Sequence, residues 1–339
     1  MKRRLPAEWE EQDGVLIAWP HEGTDWRTHL DLVEPVFAEI VTRISRFEPV
    51  LVVAPDPDRV RRLASGAVPG NVRIYPVETN DTWARDFGPI TIDSKGNRVL
   101  LDFGFNGWGL KFSADLDNQV TRRLHDSGVF GTTARRTVGL ILEGGSIESD
   151  GRGTILTTSA CLLESNRNPH LSRGEIQARL ANLLGATHFL WLENGFLAGD
   201  DTDSHVDTLA RLCPEDTIAY VRCDDAADEH YPAFSMMEQE LKRFRTREGT
   251  PYRLVPLPWP APCFGPFGER LPATYANFLV INGAVLVPTY RDRNDAAALR
   301  AVGRAFPGRE IVGIDCHPLV LQHGSLHCVT MQLPRGTLR

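Results

Sequence analysis

Four stretches of this 339-residue chain set ionisable side chains beside apolar segments that read as buried, where an unpaired charge is expensive. They are Asn80 to Pro89, Leu142 to Gly145, Gly199 to Asp207 and His323 to Thr330. In His205-Val206-Asp207 the outer residues are spaced by two, so on an extended chain an imidazole and a carboxylate project to one face and share a cleft. Taken alone, that pattern also fits a surface pair or a satisfied structural histidine. Asp86, between Arg85 and Phe87-Gly88-Pro89, reads equally as a turn aspartate paired with its neighbour. Glu143 precedes Gly144-Gly145, whose missing side chains let the backbone approach a ligand or bend sharply. Cys328 adjoins His327, but neighbours in a strand point to opposite faces, which makes His205 the better partner for the thiol. The rival chemistry is a mixed oxygen–nitrogen metal site from His205, Asp207, Asp86 and Glu143. It leaves Cys328 without a role and lacks a local two-histidine motif.

The elements that must position these groups are short and alternate in type. Val/Ile-rich runs at 14–19, 50–54, 218–221, 278–281 and 285–287 read as buried strands, and three-turn helical patterns fall at 33–47, 172–184, 233–246 and 294–306. Ser172 with Glu175 three residues on is a capping box, and Gly185 is a stop. No Gly/Ser linker or low-complexity tract divides the chain, so one domain over 1–339 is expected, α/β or α+β in class. Neither GxGxxG nor GxxxxGK[ST] occurs, which disfavours a nucleotide site.

With 37 Lys+Arg against 44 Asp+Glu, the net charge of -7 repels nucleic-acid phosphates and anionic membranes and tolerates a cationic small molecule. The six cysteines are scattered with no CxxC pair and are expected to be free thiols. The basic start, Met1-Lys2-Arg3-Arg4, runs into an acidic stretch instead of an apolar one, and the best apolar run, 278–287, is too short to span a membrane; a cytoplasmic location is expected.

Together these stretches resemble the agmatine deiminase family, which also carries the bacterial peptidyl-arginine-deiminase-like proteins. The resemblance spans almost the whole chain, through Leu5-Pro6-Ala7-Glu8-Trp9, Ala18-Trp19-Pro20, Thr82 to Pro89, Phe105-Asn106-Gly107-Trp108-Gly109 and Leu142 to Ser146. It continues through Asn166 to Leu171, Gly199 to Thr202 with His205 and Asp207, Tyr275-Ala276-Asn277-Phe278, Val287-Pro288-Thr289 and Leu326 to Thr330. One departure is His323-Gly324-Ser325-Leu326, where agmatine deiminases often carry a run of glycines followed by Asn-Ile.

The resemblance implies the pentein fold, an α/β propeller of five ββαβ-type modules, about 68 residues each, around a pseudo-fivefold axis with the active site in the central channel. It also implies roles. Asp86 and Asp207 accept paired hydrogen bonds from a guanidinium. Cys328 attacks its central carbon, and His205 protonates the departing ammonia and then activates water. Glu143 hydrogen-bonds His205, while Trp83 and Trp108 wall the aliphatic tail. The substrate is agmatine, with peptidyl or free arginine as alternatives; no metal or cofactor is required, and a homodimer is the prior. For the carboxylate of free arginine, Arg85, Arg167 or Lys111 could serve as partner. A metallohydrolase and a non-catalytic guanidine-binding protein are the readings from other classes.

Overall fold

β-branched runs bounded by turn residues become strands because their side chains pack on both faces of a pleated layer. The computed structural model describes residues 3–338; Met1 and Lys2, the start of the basic run weighed as a leader, lie outside the described residues, as does Arg339. The run at 14–19 is the strand Gln12–Ala18, that at 50–54 is Val50–Ala54, and 218–221 lies in Thr217–Val221. The apolar stretch 278–287 folds into the hairpin Leu279–Ile281 and Ala284–Thr289, turned at Asn282-Gly283. The four expected helices are Leu30–Ser45, Arg173–Leu184, Tyr231–Arg243 and Asp295–Ala305. Ser172 and Glu175 form the reciprocal capping box, and Gly185 ends that helix at φ 74, where a side chain would be strained.

One pattern repeats: an antiparallel pair, a helix, then a strand parallel to the second member of the pair. The chain ends close the first such unit. C-terminal Thr330–Pro334 pairs antiparallel with Gln12–Ala18, and helix Leu30–Ser45 leads to the parallel Val50–Ala54. The second is Ile90–Ser94, Asn97–Gly104, helix Val120–Asp126 and Ala134–Ile141. The third is Ile147–Ser149, Thr154–Thr158, helix Arg173–Leu184 and His188–Leu192. The fourth is Ala210–Cys213, Thr217–Val221, helix Tyr231–Arg243 and Arg253–Leu257. The fifth is Leu279–Ile281, Ala284–Thr289, helix Asp295–Ala305 and Glu310–Asp315. These are the expected ββαβ units. No helix among the described residues is long and apolar enough to cross a membrane.

This repetition positions the chemistry. The segment leading into the first strand of each unit carries the polar residues singled out from the sequence: 82–88 before Ile90, 143–146 before Ile147, 205–208 before Ala210, 274–277 before Leu279 and 325–328 before Thr330. Equivalent backbone positions in five units thus supply different side chains to one place. The strands behind them give a rigid base: Val15 to Ile17 and Val50 to Val53 are fully buried.

Candidate active site

The lead-in segments are tied to one another by hydrogen bonds. The Arg85 amide donates to the Cys328 carbonyl at 3.1 Å, joining segments 82–88 and 325–328. Asp86 Oδ1 accepts from the Gly145 amide and Oδ2 from the Trp108 indole, both at 3.0 Å. Asp207 Oδ2 accepts from His327 Nδ1 at 2.6 Å and from the Asn277 amide group at 3.4 Å. The Asn277 carbonyl oxygen Oδ1 accepts from the His327 and Cys328 backbone amides at 2.8 and 3.3 Å and faces Cys328 Sγ at 3.4 Å. The backbone and thiol of Cys328 are thereby fixed by a single side chain.

His205, Asp86 and Asp207 meet over Gly145. A Cβ at that position would lie 2.6 Å from His205 Nδ1, 2.9 Å from Asp86 Oδ1 and 3.2 Å from Asp207 Oδ2, so space alone demands glycine. His205 and Asp207 reach one site as their spacing suggested, but by another route: the chain there is the 3-10 turn Val206–Thr208, not an extended strand. Trp108 reaches Asp86 through a rarer device. Gly107, Trp108, Gly109 and Leu110 all take positive φ, at 67, 53, 81 and 69 degrees, which for the non-glycine residues costs roughly 1–2 kcal/mol each. Asn106 Oδ1 caps that left-handed turn at the Gly109 amide.

Burial and mutual charge set the protonation states. Burial pushes the Asp86 carboxyl well above the usual range, and the nearby Asp207 pushes it further. Burial acts on Asp207 in the same direction, but the hydrogen bond and charge of His327 outweigh it and hold Asp207 below the usual range. One carboxylate of the pair is therefore ionised and the other keeps its proton. Burial lowers His205 to about 3, so its ring is neutral at physiological pH. Burial and both aspartates raise the Cys328 thiol well above its ordinary value. An entering cation reverses the last effect and favours the thiolate. His205 Nε2 and Asp207 Oδ1 have no hydrogen-bond partner among the described residues.

Glu143 departs from expectation. Its carboxylate does not hydrogen-bond His205; both oxygens accept from Arg167 Nε, at 2.9 and 3.0 Å, in a pair fully shielded from solvent. Arg167 also donates to Asp203 Oδ2 at 2.7 Å and to the Thr202 carbonyl at 2.9 Å. Glu143 stays near His205: its oxygen, Cys161 Sγ and a His205 ring nitrogen all lie within 4.8 Å of one another. Among the described residues this trio and Glu8–Glu148–His327 are the groups whose ligand atoms converge. The metal set weighed from sequence as the rival chemistry, His205, Asp207, Asp86 and Glu143, is not one of them. A cation on either converging group would stand beside an arginine, Arg167 in one case and Arg211 in the other.

Above these residues opens a cleft of about 700 Å3, including its mouth, lined by Trp83, Trp108, Phe112 and Cys328 with Asp25, Asp81, Asp86, Asp200 and Asp201. His205, Asp207 and Glu143 lie behind its wall, at most 1% exposed. Burial raises Asp81 to about 7 and raises Asp200 too, and an entering cation would favour their ionised forms. Gly324 closes one side, where a Cβ would strike the Trp83 ring at 2.2 Å. That contact gives the departure at 323–326 a steric meaning: the indole lies against this backbone.

Several residues that build the site drew no role from sequence reasoning. Asn277 and Glu8 sat inside quoted motifs without one, and Arg211 and Glu148 were not singled out. Arg211 is 1% exposed, binds Glu8 and Glu148, and donates to the Ala276 and Phe278 carbonyls. An arginine inside the apolar run Leu209 to Cys213 was the available signal.

A family model described as Porphyromonas-type peptidyl-arginine deiminase matches residues 4–334. An agmatine deiminase of Pseudomonas aeruginosa is 34% identical, with 98% of this chain and 95% of that protein covered. A putative arginine deiminase from Porphyromonas gingivalis superposes with a TM-score of 0.95 at 51% identity, covering 100% of both chains. A C. jejuni agmatine deiminase with substrate bound superposes with a TM-score of 0.92 at 40% identity, covering 99% of this chain and 97% of that one. A more distant likeness to a dimethylarginine dimethylaminohydrolase, 12% identical with a TM-score of 0.52, concerns the fold alone and sets the mixed α/β architecture among the penteins. The chain belongs to the Porphyromonas-type peptidyl-arginine deiminase and agmatine deiminase family, and is a hydrolase of the type that acts on amidines.

Proposed function

We propose that this protein hydrolyses agmatine to N-carbamoylputrescine and ammonia, a step toward putrescine in the cytoplasm. Residues 1–339 act as one catalytic domain, with the five ββαβ units set about a pseudo-fivefold axis and the cleft in its central channel. The observation that carries this reading is the charge of the cleft. Five aspartates and no lysine or arginine are among the residues that line it. Agmatine is arginine without its carboxylate and carries a cation at each end, so it suits such walls, whereas free arginine brings an anion. The three cations considered as partners for that anion are committed elsewhere. Lys111 Nζ donates to the Asp201 carbonyl at 2.7 Å and to Asp203 at 2.8 Å. Arg167 holds Glu143 and Asp203, and Arg85 bonds Gln332 and the His327 carbonyl. The C. jejuni relative, a cysteine-to-serine variant solved with substrate bound, supports the same substrate class.

A guanidinium resists attack because its charge is delocalised. Asp86 and Asp207 localise that charge and hold the nitrogens, with the unpartnered Asp207 Oδ1 as one acceptor. Trp83 and Trp108 flank the tail. Cys328 Sγ bonds to the central carbon, and its proton passes through His205 to the amino group that leaves as ammonia. Glu143, held by Arg167, stands beside His205 in this step. The remaining thiouronium keeps the C–S bond until water, deprotonated by His205, adds to the carbon. The C–S bond then breaks, the thiol re-forms and the ureido product departs.

The test is ureido-product formation from agmatine, free arginine and a blocked arginyl peptide in parallel, with chelator present. Turnover of agmatine at a kcat/KM at least about 100-fold above either arginine form is expected. Preference for free or peptidyl arginine would overturn the substrate, and activity lost to chelator would overturn the metal-free mechanism.

A pH dependence follows from the proton on Asp86. Asp86 is protonated in the empty site, so its raised carboxyl must ionise to receive a cation. Agmatine affinity is expected to rise with pH, by at most about tenfold per unit, until Asp86 is ionised in the free protein, with a proton released on binding. Calorimetry of Cys328→Ala in buffers of different ionisation enthalpy measures both.

A further inference from the structure

We propose that His327 is a positioning residue: its ring holds Asp207 by one oxygen and leaves the other unpartnered, so that the guanidinium meets an anion of fixed direction. The inference rests on the guanidine-hydrolase reading above and deepens it. His327 is next to Cys328 in sequence, yet its ring turns away from the thiol. Nδ1 donates to Asp207 Oδ2 at 2.6 Å, and Nε2 faces Glu8 Oε2 at 2.7 Å. Each ring nitrogen is thus engaged by a carboxylate, and rotating the ring would break both contacts.

The far end of this link is anchored independently. Glu8 Oε1 accepts from the Val280 amide at 2.7 Å, and Oε2 also accepts from Arg211 at 3.0 Å. Arg211 is tied in turn to Glu148, whose other oxygen accepts from the Leu212 amide at 3.0 Å. Arg85 stands 3.9 Å from Glu8. All of these side chains are buried. The line Asp207–His327–Glu8–Arg211–Glu148 joins two lead-in segments and two first strands, drawn from three units, to the N-terminal motif around Glu8.

Two consequences make the link functional and not merely cohesive. First, Oδ2 of Asp207 is consumed by His327 and Asn277, which leaves Oδ1 unpartnered and buried, as an acceptor awaiting a donor should be. Second, Asp86 and Asp207 share the same dry pocket, but only Asp207 has a hydrogen-bonding imidazole. His327 is the largest of the influences that lower Asp207, ahead of His205 and Arg211, whereas Asp86 takes its hydrogen bonds from an indole and a backbone amide. One peptide bond separates His327 from the nucleophile, so the anion and the thiol are set by the same short segment.

The experiment compares His327→Asn, whose amide reaches the place of Nδ1, with His327→Gln, whose amide reaches only the place of Nε2. With agmatine, His327→Gln is expected to raise KM about tenfold or more, the effect of one lost charge-assisted hydrogen bond, with a smaller change in kcat. Its kcat/KM profile should also rise at a higher pH than the parent's, because Asp207 then holds its proton longer. His327→Asn should recover most of the KM and the pH profile. Equal impairment of the two, or an unchanged KM and profile in a folded His327→Gln, overturns the proposal. If His327→Gln does not fold, Glu8→Gln carries the test: the same displacement of the pH profile at smaller size supports the relay, and an unmoved profile overturns it. A parent protein that turns over no guanidine brings down the functional reading and this one with it, whereas normal parent turnover with unmoved variants brings down this one alone.

Discussion

Cys328→Ala is expected to lower kcat for agmatine by at least about ten-thousandfold while agmatine still binds. Nothing else in the site offers a nucleophile to the guanidinium carbon. Cys161, the other thiol near His205, is fully buried, and burial beside Glu143 raises it well above its ordinary value. Asp86 and Asp207 take their hydrogen bonds from Trp108, Gly145, His327 and Asn277, none of which depends on the sulfur. Removing the thiol leaves both carboxylates and their hydrogen bonds in place, so the cation's seat survives. Steady-state product assay and calorimetric titration of the same preparation check the two halves. Activity within tenfold of the parent would remove Cys328 from the mechanism, whereas loss of binding together with turnover would mean a collapsed site.

Gly145→Ala is expected to reduce kcat/KM about 100-fold or more with the fold retained. The added carbon would sit within 3.2 Å of His205, Asp86 and Asp207. The backbone cannot easily retreat, because Gly144 lies so close to the Arg85 carbonyl that a Cβ there would approach it to 2.2 Å. Either three functional groups shift, or the 3-10 turn Gly144–Ser146 shifts and takes away the Asp86 hydrogen bond. Overpacking of this kind costs roughly 1–3 kcal/mol, which a domain of this size survives with a lowered melting temperature. Thermal melting and agmatine kinetics together measure it. Activity within threefold of the parent would mean that the site is looser than these distances describe.

Much of the architecture was legible because the signals were local. Val50–Ala54 stands where its β-branched run placed it, and the capping box at Ser172 fixed a helix start, since both depend on near neighbours. The site was legible as a set of residue types out of place: Asp86, Glu143, His205, Asp207 and Cys328 converge on the lead-in segments. Their bonding was not. His205 and Asp207 share a site through a 3-10 turn that alternation cannot foresee. Glu143 was expected to hold His205, but Arg167, 24 residues away, takes both its oxygens. The left-handed turn at Trp108 leaves only its flanking glycines as a trace in the sequence. The relay through His327 needs Glu8 from 319 residues earlier, a separation over which no spacing rule operates.

The covalent intermediate is the most direct thing to look for. Protein mixed with agmatine, quenched in acid during turnover and weighed intact, then as peptides, is expected to carry the mass of agmatine less ammonia on the peptide containing Cys328. That adduct should accumulate further in His205→Asn, provided the first step still proceeds, and vanish in Cys328→Ala. Steady turnover of agmatine with an unmodified Cys328 peptide in every sample, including a variant slowed in the hydrolytic step, would contradict nucleophilic attack by this thiol.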